Sequence, residues 1–228
     1  MGDLMEKFIV SQKDYANAKL LLEQERISPL NLEEMFKAGI YCILAQAERY
    51  DKQIKIYRRI LREGIKSPET VFLNKKELHR ILKESHYPNM KEKRIGGFAA
   101  WWSDAHLPSR ILKDALNGHN EGVELRNSFA EEAPAMSYKS ASLFMIKCGY
   151  EDVIPIDIWV MRFLKEQGHS VKVPDYLTVG GITKKLYLEL EAVLCKMAED
   201  EHVSLALFQA ALWGKYSTWV VRKERRLF

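Results

Sequence analysis

Apolar residues recur at steps of three and four along nearly this whole chain, and no alternation of period two persists beyond a few residues. That periodicity belongs to helices that bury one face, and it leaves no pattern from which to build a sheet. From Leu32 to Ala47 the positions Leu32, Met35, Phe36, Gly39, Ile40, Ile43 and Leu44 make one apolar stripe. Asn31 is placed to cap this helix, and Glu33 and Glu34 sit in its first turn, where the dipole favours acids. Ile54, Tyr57, Ile60 and Leu61 continue into a basic-faced helix that stops at Gly64. Asn74 caps a short helix through Leu82. Pro88 opens another that holds Phe98, Trp101 and Trp102, and Pro108 ends that region. Further helices are expected over 123–132, 138–149, 157–168, 183–198 and 204–215, with a loop over 172–181. With a helix inside 1–30, the class is all-α, with about ten helices.

At 228 residues the chain suits a single domain of two lobes, or two small domains. Its composition, 47% apolar and 29% charged, excludes a disordered or fibrous chain. No apolar run reaches the roughly 18 residues of a membrane span. The opening residues carry early acids and no signal-peptide block, and Gly2 is followed by Asp3 with no polybasic partner for a lipid anchor. Cys42, Cys148 and Cys195 lie far apart, which suits a reducing cytoplasm. The six histidines show no metal-ligand spacing, so no metal is expected. Nucleotide-cradle loops and a nucleophile elbow are absent as well. The net charge of +4 says little by itself. It is matched, however, by Lys215, Arg222, Lys223, Arg225 and Arg226 against the lone Glu224, either a solvated terminus or a phosphate-contacting one.

The stretch from Ser137 to Leu164 holds two polar residues in an apolar setting. Lys139 falls in the first turn of a helix whose neighbours are Ala141, Leu143, Phe144 and Ile146. Burial and the positive end of the dipole both disfavour its charge, which is how an amine becomes a nucleophile. The plainer alternative is a surface lysine with its head in water, the reading that suits Lys147. Asp157 interrupts Val153-Ile154-Pro155-Ile156 and Ile158-Trp159-Val160. It is a helix cap, a functional acid, or both, since a capping carboxylate is held ionised and fixed in direction.

A helix–turn–helix carrying Lys139, with an Asp eighteen residues later at a helix start, resembles the helix-hairpin-helix DNA glycosylase superfamily. Within it the chain is most similar to the archaeal-type 8-oxoguanine DNA glycosylase/AP lyases. Ser137-Tyr138-Lys139-Ser140-Ala141-Ser142-Leu143-Phe144 and Gly149-Tyr150-Glu151-Asp152 follow that family's hairpin. Tyr41–Ala45, Lys93-Arg94, Lys184–Glu191 and Ala211-Leu212-Trp213 resemble further segments. Ala135 and Ser137 stand where the family has glycines, Leu143 where it has His, and Gln209 where it has an acid. The family ends in a short lysine-bearing tail, whereas this chain continues through Trp219 to Phe228.

The resemblance implies a two-lobed fold, with lobe 31–149 ending in the hairpin and lobe 150–228 joined by the helix of 1–30. It implies a bifunctional glycosylase of base-excision repair acting as a monomer on damaged double-stranded DNA in the cytoplasm, at the nucleoid, without a cofactor. The iron–sulfur cluster of related enzymes needs four cysteines. Lys139 would be the Schiff-base nucleophile and Asp157 its acid–base or electrostatic partner. Gln46, Trp102, Phe144, Gln209 and Trp213 are candidates for the pocket of the flipped base. Ala135, Ser137, Tyr138, Lys215 and Arg222 are candidates for phosphate contact. A glycosylase for a different damaged purine, or a helical DNA-binding protein without catalysis, remain as alternatives.

Overall fold

The structure, a computed structural model, describes residues 10–118, 121–168 and 182–225, with side chains described as far as residue 215. Among these residues there are twelve helices and no strand. They are α1 (Gln12–Glu25), α2 (Leu32–Leu44), α3 (Tyr50–Arg62), α4 (Pro68–Leu73), α5 (Lys75–Leu82), α6 (Pro88–Asp104), α7 (Leu107–Leu116), α8 (Gly122–Glu132), α9 (Tyr138–Lys147), α10 (Ile158–Glu166), α11 (Lys184–Asp200) and α12 (Leu205–Arg225). They fall into two units. One comprises Met1–Glu25 with Ile156–Phe228, the other Arg26–Pro155.

The second unit is built around α2. Asn31 caps it as expected, its side chain accepting from the Glu34 N–H at 3.1 Å. The stripe is wider than the spacing suggests. Every residue from Met35 to Leu44 except Lys37 is buried, Tyr41 and Cys42 included, while Leu32 is exposed. A helix buried nearly all round is a core helix, and α3, α6 and α9 all pack on it. Gly39 sets the approach of α6. A Cβ there would lie 2.3 Å from Phe98 Cζ, inside the ring that stacks on Phe36 at 5.6 Å.

Three boundaries differ from the spacing-based expectation. Residues 67–73, read as no element, form α4, which is short but fixed by a capping box between Ser67 and Thr70, with Pro68 in its first turn. Pro108 opens α7 rather than only ending what precedes it, because a first-turn proline forfeits no helical hydrogen bond. In the first unit, α12 runs on to Arg225 instead of stopping at Lys215. It packs against α1, α10 and α11, and Lys215 Nζ pairs with the Asp14 carboxylate at 3.1 Å. The loop expected over 172–181 lies outside the described residues.

Replacing Gly39 with Ala drives a methyl group into the Phe98 ring, and relief requires either helix to shift. The expected loss of stability is about 1–3 kcal/mol, the usual cost of overpacking. Urea denaturation should show a lower midpoint with an unchanged slope.

Candidate active site

Helices α8 and α9 form a hairpin across a turn at 133–137. Ser137 opens α9 from an extended conformation, its Oγ accepting from the Ser140 N–H at 3.3 Å. Ala135 has a φ of 69°, in the left-handed region where an ordinary side chain is strained. This is one of the two positions at which the resemblance calls for glycine, and the turn geometry explains that preference. The N–H groups of Ser137 and Lys139 make no hydrogen bond among the described residues. They are open donors at the positive end of α9.

The two hairpin helices are locked from inside by Arg126, which is fully buried. Its Nη1 donates to Ser142 Oγ at 3.1 Å, its Nε to Asn127 Oδ1 at 2.8 Å, and its guanidinium lies over the Tyr138 ring at 5.2 Å. Tyr138 in turn donates its hydroxyl to Glu131 at 2.9 Å. At the far end Asp152 reaches back to accept from the Val123 N–H at 3.2 Å, so it caps α8. Burial pushes its carboxyl above the ordinary aspartate value, against the hydrogen bonds that favour the charge. Gly122 leaves room for it, since a Cβ there would lie 2.0 Å from Asp152 Oδ1. Sequence reasoning missed both Arg126 and the capping role of Asp152. The Glu151-Asp152 match was the available signal for the latter. For Arg126 the signal was a cation at the fourth residue of the helix expected over 123–132.

Lys139 stands at the second position of α9, half-buried, with no ion pair or hydrogen bond to its amine among the described residues. Lys147 reverses its sequence reading. It is buried, with Nζ 3.9 Å from the centroid of the Tyr41 ring, so a cation–π contact replaces the expected exposure to water. Gln46 is half-buried, and its amide is turned to the hairpin, Nε2 donating to Ala135 O at 2.7 Å and to Ser140 Oγ at 3.1 Å.

Two pocket candidates belong to the core instead. Phe144 is fully buried and Trp102 nearly so. They form one aromatic cluster with Phe129, which lies 4.5 Å from Phe144, and with Phe36 and Phe98. An aromatic residue at helical spacing looks the same from sequence whether it faces a core or a cleft.

The first unit holds the remaining candidates. Asp157 caps α10, Oδ1 accepting from the N–H groups of Trp159 at 2.9 Å and Val160 at 3.0 Å. Gln209 and Trp213 lie half-buried on α12, and Lys215 makes its pair with Asp14. Arg222 lies on the α12 backbone, with its side chain outside the described residues.

The family model described as 8-oxoguanine DNA glycosylase matches residues 19–203. A protein of Sulfolobus acidocaldarius named 8-oxoguanine DNA glycosylase/AP lyase is 23% identical over 83% of this chain and 85% of its own length. One of the same name from Methanocaldococcus jannaschii is 24% identical over 79% of each. Among solved structures, the 8-oxoguanine DNA glycosylase of Thermotoga maritima superposes with a TM-score of 0.68 at 25% identity, covering 89% of this chain and 91% of that one. The Methanocaldococcus jannaschii 8-oxoguanine glycosylase/lyase in complex with 15mer DNA containing 8-oxoguanine gives 0.67 at 22%, covering 88% and 94%. These likenesses fix the fold as that of the helix-hairpin-helix glycosylases.

Restoring glycine at the turn should relieve the left-handed strain of Ala135. Ala135→Gly is expected to gain about 1 kcal/mol, the strain of one such residue less the entropy that glycine adds to the unfolded chain. Equilibrium denaturation checks it; a loss of stability would mean the turn holds Ala135 without strain.

Proposed function

The chain belongs to the 8-oxoguanine DNA glycosylase family, and on that premise we propose that it excises 8-oxoguanine from double-stranded DNA and nicks the strand as an AP lyase. The observation that carries this is the family match over residues 19–203, joined to a lysine in the first turn of the hairpin's second helix whose amine has no partner among the described residues. The target nucleotide is rotated out of the duplex. The N–H groups of Ser137 and Lys139, without a partner among the described residues and with the dipole of α9 behind them, suit a backbone phosphate.

Lys139 is the nucleophile. Its neutral amine attacks C1′ of the sugar, and the N-glycosidic bond breaks with its electron pair leaving on the base, which takes up a proton. Ring opening gives an iminium between Nζ and C1′. Loss of a proton from C2′ then expels the 3′ phosphate by β-elimination, and water releases the lysine. Asp157 accepts the lysine proton or offsets the positive charge that develops on the sugar. Its bonds from two backbone N–H groups fix it in direction. Gln209 and Trp213 are the pocket candidates left to contact the base once Phe144 and Trp102 are assigned to the core and the Gln46 amide to the hairpin. The protein acts as a monomer in the cytoplasm. No helix among the described residues is long and apolar enough to cross a membrane.

Lys139→Gln should abolish both strand cleavage and borohydride trapping on 8-oxoguanine duplexes while lesion-DNA binding persists. Trapping that survives in this variant would assign the nucleophile to another amine. Asp157→Asn should slow turnover at least about a hundredfold. Because Asn also caps helices, its thermal melt should barely move. A large fall in melting temperature with normal turnover per folded molecule would leave Asp157 as a cap alone.

A further inference from the structure

Between α2 and α3 the chain turns through Ala45 to Arg49, and this turn is pinned to α6. Ala47 is left-handed, with a φ of 52°. Beside it the Glu48 side chain is wholly buried and pairs with the equally buried Lys91 of α6 at 3.0 Å. Glu48 also accepts from the His86 N–H at 2.8 Å. Burial would raise the Glu48 carboxyl, but the His86 N–H and the Lys91 ammonium outweigh it and hold the group below the usual value. One helical turn beyond Lys91, Arg94 donates from Nη1 to Gln46 Oε1. Gln46 Nε2 then donates onward to the Ala135 carbonyl and to Ser140 Oγ. Arg94 can only donate and a carbonyl can only accept, so these neighbours fix which way the amide points. Ser140 follows Lys139 directly and is the residue whose N–H Ser137 caps.

We propose that Gln46, oriented by Arg94, is a positioning residue for Lys139. It ties the left-handed turn residue and the first turn of α9 to a rigid mount on α6, and so sets the direction from which the amine meets C1′. This rests on Lys139 being the nucleophile. A base-reading Gln46 would need its amide free, whereas here its acceptor and both contacts of its donor go to protein.

The test is single-turnover excision and borohydride trapping by the full chain on saturating 8-oxoguanine duplex. Gln46→Met keeps the length of the side chain and removes the amide. The rate constant should fall at least about tenfold, in keeping with the sensitivity of attack to misplacement. The fraction finally trapped, and the affinity for a duplex bearing a reduced abasic site, should stay within about twofold of the parent. A merely destabilised enzyme would lose trapped fraction and keep its rate. An unchanged rate overturns the proposal, as does a loss of affinity with full rate at saturation. A defect that changes with the base opposite the lesion also overturns it, because Gln46 would then read DNA. Should Gln46→Met fail to fold, Ser140→Ala removes one acceptor of the same amide and must slow the rate in the same sense, or the proposal falls. Lys139→Gln separates this from the parent reading. If that variant still traps, the nucleophile is wrong. If it is dead while Gln46→Met runs at full rate, only the positioning role is lost.

Discussion

A helix with almost no face toward water can exist only when its neighbours are already in place, and α2 is such a helix. Its burial from Met35 to Leu44 obliges α3, α6 and α9 to close around it. The approach of α6 runs through the missing side chain of Gly39 and the ring of Phe98. The hairpin is anchored to the same centre, because Phe144 of α9 reaches the aromatic cluster that Phe36 begins. Lys139, the proposed nucleophile, thereby stands on a helix fixed to the aromatic core of its unit. Such rigid support is what a group that must be placed to within a fraction of an ångström requires.

The polar side chains inside this unit serve the same end. Arg126 is enclosed, yet its charge is shared among a hydroxyl, an amide and an aromatic face. A buried cation handled in this way adds direction as well as energy, since each bond has one allowed geometry. Asp152 and Ser137 each accept one N–H in the first turns of α8 and α9, so both helices of the hairpin start from a side-chain cap.

Much of this was legible in the chain itself. The three-and-four spacing gave the all-helical class, and Asn31 and Asp157 are caps in the positions their chemistry suggests. The hairpin was legible because a lysine, a turn and an aspartate at fixed spacing are a rarer coincidence than any helix. What escaped has a common cause. Spacing tells that Trp102, Phe144 and Lys147 lie on particular faces, not what stands opposite those faces. Phe144 and Trp102 meet other rings, and Lys147 meets Tyr41 instead of water. Gln46 is the same case. Spacing puts its amide at the end of a helix, and the carbonyl it meets there belongs to the distant Ala135.

The pair of Lys91 and Glu48 bears on how such a chain can change over generations. Both side chains are sealed from solvent. Losing either partner alone strands a charge in the interior at about 3–5 kcal/mol, a large part of the margin by which an ordinary domain stays folded. Replacing both with apolar residues of similar volume would cost little, but the path to that state passes through one of the stranded intermediates. The two residues are therefore expected to be inherited together. A descendant that lacks Glu48 should lack Lys91 too, whereas one that lacks Lys91 alone should lean on the other cations beside that carboxylate, His86 at 3.1 Å and Lys52 at 3.7 Å.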